Sequence, residues 1–128
     1  MLSLRFAPLW AAVGWFGVVL AFVLSLWPHG APLPQIWYKS QHTIGYFILT
    51  LWWLGLYPRS RYPLVAVGCF VLGILMEILQ AFTTTRTGAV SDALINLTGI
   101  VPALLVAYAG LGGWALKFER VARLKARA

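Results

Sequence analysis

Charge is scarce in this 128-residue chain: 10% of residues are Asp, Glu, Lys or Arg, against 61% hydrophobic ones and a mean hydropathy of +0.81. A water-soluble domain carries about 25% charged residues and needs them on its surface, so a soluble fold is excluded and lipid is the expected solvent. Cysteine is nearly absent. The single Cys69 rules out a disulfide within the chain and reads as a small buried side chain inside an apolar run. No metal-ligand spacing occurs, so no metal and no cofactor are expected. The Gly-x-Ser-x-Gly elbow, the His-Glu-x-x-His helix and the phosphate-cradling glycine loop are missing as well, which removes the strong enzyme signatures.

What the chain has instead is apolar length. About 20 apolar residues cross the hydrocarbon core as a helix, and four stretches qualify, at about 9–27, 38–57, 63–82 and 93–116. The links between them leave no room for a soluble domain. The expected fold is therefore all-α: one domain over residues 1–128, a bundle of four transmembrane helices with a basic tail at 117–128. Arg5 precedes the first run, as in a signal peptide. The run exceeds the usual apolar region of about 7–15 residues and no Ala-x-Ala site follows, so a retained anchor is expected.

The formal charge of +7 is unevenly spread. Arg5, Arg59, Arg61, Lys117, Arg120, Arg123, Lys125 and Arg127 fall on one side of the four expected spans, and only Lys39 and Arg86 on the other. The positive-inside rule then predicts both termini in the cytoplasm, with the first and third loops outward. The tail is expected to rest on anionic lipid. No aromatic residue interleaves with it to suggest nucleic acid.

The remaining polar residues gather on the outward side. Glu77 is the informative one, because a carboxylate inside a span costs several kcal/mol and is kept when it faces a partner or acts. At about 1.5 Å per residue it lies about 7 to 8 Å below Phe82, in the outer leaflet. Lys39, His42 and Tyr46 share a helical face at the start of the second span. Gln80 follows Glu77 by three, Asp92 and Asn96 open the fourth span at a spacing of four, and Arg86 lies in the loop between.

Each has a bland counterpart. Asp92 suits a helix start, Asn96 and Gln80 suit interhelical hydrogen bonds, Lys39 suits snorkelling, Tyr46 suits an aromatic belt, and Glu77 suits an ion pair with Arg86 or Lys39. Their joint placement argues for a shallow outward-facing polar cavity. Gly73, one turn before Glu77, and Gly99, on the Asp92 and Asn96 face, are expected to let helix backbones approach behind it. Pro102 is expected to bend the fourth span.

The order His42-x-x-x-Tyr46, Gly73-x-x-x-Glu77-x-x-Gln80, Arg86, Asp92-x-x-x-Asn96-x-x-Gly99 resembles the VanZ-like family of small bacterial membrane proteins, over about residues 39–102. The resemblance implies a four-helix membrane protein and carries over Lys39, His42, Tyr46, Glu77, Gln80, Arg86, Asp92 and Asn96 as positions of interest. Tyr38 stands where members of that family usually carry an acid before the lysine. The family takes its name from a protein linked to resistance to the lipid-tailed glycopeptide teicoplanin.

Three functions fit this pattern. The first is binding of an amphiphile in the outer leaflet, such as a lipid-linked envelope precursor or a lipid-tailed antibiotic, alone or as an accessory subunit of an envelope complex. The second is a membrane-embedded enzyme in which Glu77 or Asp92 acts as base, His42 as acid, and Arg86 or Lys39 steadies an anion. The third is transport, which would need a homo-oligomer, since no strongly polar side chain continues the cluster into the inner half of the spans.

Overall fold

Apolar runs without internal helix breakers become helices. The computed structural model describes residues 1–26, 35–82 and 90–125, and the regular structure in them is helical, with no strand among the described residues. The elements are α1 (Ala7–Leu26), α2 (Gln35–Leu56), α3 (Tyr62–Ala81), α4 (Val90–Val106) and α5 (Trp114–Lys125), with a short turn of 3-10 helix at Arg59–Arg61 and a wide π-type turn at Ala107–Leu111. Pro63 sits in the first turn of α3, where its missing N–H costs nothing.

Cross-helix contacts set the directions. Trp10, early in α1, meets Trp52, late in α2. Ser25, late in α1, accepts from Gln80, late in α3. His42, early in α2, meets Asn96, early in α4. So α1 and α3 run one way and α2 and α4 the other. The start of the chain and α5 lie at one end of the bundle, where the Leu2 amide donates to the Leu56 carbonyl (2.8 Å) and Arg5 reaches α5.

That terminal end is an aromatic hub. Trp114 packs edge-on against Trp10 (5.3 Å) and Trp52 (5.0 Å), and Phe118 covers Trp10 at 5.9 Å. Each indole N–H has an acceptor: Trp52 donates to the Trp10 carbonyl, Trp114 to the Leu51 carbonyl, and Trp10 to Glu119. Buried indoles need such partners, and here they lock α1, α2 and α5 together.

Three helices are long and apolar enough to cross a membrane: Ala7–Leu26, Arg59–Ala81 and Leu94–Lys125. Only 11% of the α1 window is buried inside the protein, and large apolar side chains such as Leu9, Trp15, Phe16, Val19 and Leu24 are exposed, which calls for an apolar medium around them. α2 falls short of that standard because Lys39, Ser40, Gln41 and His42 occupy its early turns.

The last expected span differs in detail. Regular helix passes through Pro102 to Val106 and breaks in the following glycine run, not at the start of the basic tail. Gly110 (φ 128°) and Gly113 (φ 63°) adopt left-handed backbone that side-chain-bearing residues avoid. The Gly113 amide then donates to the Leu54 carbonyl (3.1 Å), and Lys117 donates to the Gly110 carbonyl, fixing the turn. The residues read as a tail form α5 as far as Lys125.

Candidate functional site

At the end of the bundle away from the termini, α2, α3 and α4 bring buried polar side chains together. α2 supplies His42 and Tyr46, one turn apart, with rings near-parallel at 6.5 Å between centroids. His42 Nδ1–H donates to Asn96 Oδ1 of α4 at 3.0 Å. An amide oxygen only accepts, so in this bond Nδ1 is the nitrogen that carries the hydrogen.

α3 enters through Gly73. A Cβ there would stand 2.6 Å from Asn96 Nδ2 and 3.2 Å from Tyr46 Oη, so the missing side chain is what lets both groups reach the α3 backbone. Glu77 follows one turn later on α3 and is buried. Gly99 gives the same close approach between α4 and α2: its Cβ would lie 2.2 Å from the Thr43 carbonyl oxygen. Beside it Thr43 donates to Thr98 Oγ1 (2.6 Å), which donates on to the Ile95 carbonyl. The two glycines thus stand where their spacing predicts close packing.

Asn96 is fully buried, and Tyr46 and Glu77 are 6% and 7% exposed. Tyr46 Oη and Asn96 Nδ2 have no hydrogen-bond partner among the described residues. Buried polar groups are normally satisfied, so two such atoms at one place mark a site suited to a polar guest. Thr50, one turn deeper on α2, is fully buried as well.

Of the eight positions singled out in the sequence, His42, Tyr46, Glu77 and Asn96 come together. Gln80 takes a flanking place, its amide donating to the Ser25 carbonyl (3.1 Å) and hydroxyl and so tying α3 to α1. Lys39 is exposed at the start of α2. Arg86 and the Asp92 side chain lie outside the described residues. No group of three or more His, Cys, Asp or Glu that would hold a metal occurs among the described residues.

A second polar centre, at the terminal end, has no counterpart in the sequence pattern of spans. Glu119 of α5 is buried, accepts from the amides of Arg5 (2.7 Å) and Phe6 (3.0 Å) and from Trp10 Nε1 (2.9 Å), and forms an ion pair with Arg123 at 3.5 Å. These amides open α1, whose first turn holds no acid of its own. A residue from the far end of the chain therefore caps it. Burial pushes the Glu119 carboxyl up, but the three N–H donors and Arg123 together outweigh it and hold the group below the usual carboxylate range. The sequence signal was an acid amid basic residues, four before an arginine on a helix.

No family model, no curated protein and no solved structure matches this chain.

Proposed function

We propose that this chain is a VanZ-like integral membrane protein of the bacterial envelope, with four spans, cytoplasmic termini and the His42–Asn96 end facing outward. α2 crosses as well and completes the set of four, its polar first turns lying in the outer headgroup region. The charge asymmetry supports the orientation: Arg5, Arg59, Arg61 and the basic face of α5 lie at the terminal end, opposite Lys39 and His42.

The site binds the polar head of an amphiphile whose tail stays in the outer leaflet. The observation that carries this reading is the convergence of Tyr46, Glu77 and Asn96, all buried, behind His42 at a helix end flanked by hydrocarbon-facing residues such as Ile44 and Ile48. A carboxylate, an imidazole and amide N–H groups suit a head that both donates and accepts, and the lipid side suits a greasy tail.

A catalytic reading draws on one feature, the Nδ1–H bond from His42 to Asn96, which fixes the orientation of the ring. One experiment tests both readings. Protein purified in detergent is extracted and its lipids compared with those of Glu77→Gln. A specific lipid lost from the variant supports binding, and a chemically altered lipid made by wild type supports catalysis. Identical lipid profiles for the two proteins would overturn the site.

A further inference from the structure

A second lipid-sized feature lies on the opposite half of the molecule and is independent of the reading above. A groove of about 310 Å³ opens between α1, α2 and α3, running from Tyr57 and Arg61 to Leu72. Trp15 and Trp53 form one wall, edge to face at 5.4 Å. Gly68 forms part of the floor, and a Cβ built there meets no atom within 4 Å. Val18, Leu64, Val65, Cys69 and Leu72 line the rest below Tyr57 and Arg61, and Trp15 and Leu64 are 58% and 61% exposed.

Length and charge decide what fits. Arg61 and Leu72 are eleven residues apart on a nearly continuous helical segment, about 16 Å at 1.5 Å per residue. That is close to half of a hydrocarbon core about 30 Å thick, the depth of one acyl chain in one leaflet. The mouth is cationic: Arg61 is exposed and meets no carboxylate among the described residues, whereas Arg59 lies over the Tyr108 ring at 4.9 Å and Arg123 pairs with Glu119. A guanidinium at the mouth of an apolar slot one leaflet deep matches a phosphate carrying a hydrocarbon tail.

We propose that this groove is a binding site for an anionic phospholipid of the leaflet on the side of the chain ends, its phosphate at Arg61 and one acyl chain lying over Gly68 between Trp15 and Leu72.

The test uses full-length protein reconstituted in vesicles of equal phosphatidylglycerol and phosphatidylcholine, extracted gently and weighed by native mass spectrometry. Wild type retains one phosphatidylglycerol in preference to phosphatidylcholine. Arg61→Gln lowers that preference about fivefold, the effect of one basic residue at an anionic lipid surface. Gly68→Leu fills the floor and removes both lipids, while Arg120→Gln on α5 changes nothing. Both test positions face open space, and unchanged circular dichroism verifies their folds. A preference that survives Arg61→Gln, or lipid that survives Gly68→Leu, overturns the proposal. So does a wild-type dimer that Gly68→Leu converts to monomer, which would assign the groove to a second copy.

Discussion

The indole N–H of Trp10 donates to Oε1 of Glu119 at 2.9 Å, joining two residues 109 positions apart in the chain. With the Arg5 and Phe6 amides on the same carboxylate, this contact fastens α5 across the start of α1. Glu119→Ala is expected to release α5 while leaving the bundle helical. Faster tryptic cleavage after Arg120, Arg123 and Lys125 at unchanged helix content measures it; equal cleavage would refute the clasp.

The same carboxylate makes the clasp pH-dependent. Its folded pKa lies below the unfolded value of 4.5, so its stabilisation is fully present above that value and is lost as pH falls through the folded pKa. Thermal melts from pH 7 to pH 3 should show wild type losing its advantage over Glu119→Gln only below about pH 4.5. A gap between the two that stays constant through this range would show that charge plays no part.

His42 and Asn96 form one unit across α2 and α4. A double-mutant cycle with His42→Ala and Asn96→Ala is expected to give a coupling of about 0.6 kcal/mol, the usual size for an interhelical hydrogen bond in a membrane protein. Unfolding in mixed micelles, followed by circular dichroism, reads it. Strict additivity would mean that the bond is not made in the bilayer.

Tyr46→Phe separates stability from binding. The hydroxyl is buried with no partner among the described residues, so its removal should leave the protein as stable as wild type or slightly more so. If the site holds a polar head there, retention of the co-purifying lipid falls about tenfold, the effect of one lost hydrogen bond of about 1.4 kcal/mol. A variant that unfolds would place the hydroxyl in the scaffold.

Orientation is checked with a membrane-impermeant maleimide in a Cys69→Ala background. Lys39→Cys is expected to label from outside intact cells with their outer membrane opened, and Arg59→Cys only in inverted vesicles. The reverse pattern would invert the protein in the membrane.

Much of the fold is legible along the chain because lipid-facing helices are long uninterrupted apolar runs, a local property. Even so, the stop after Val106 escapes a reading that follows hydropathy, since Gly110, Gly112 and Gly113 are compatible with an apolar span. The spacing of Gly73 and Gly99 announced close helix contacts. It named no partners, and those are Asn96, Tyr46 and the Thr43 carbonyl.

Composition and order thus sufficed for the apolar length of this protein's helices, its helical class and its lopsided charge, since each depends on neighbours within a few turns or on a simple sum. Which helix touches which had to come from folding. The parallel α2–α4 pair, the His42–Asn96 bond, the diversion of Gln80 to Ser25 and the capture of Glu119 by the start of α1 are all contacts between residues far apart in the chain. Period and hydropathy carry no information about such partners, because a helix face records that something lies opposite without recording what.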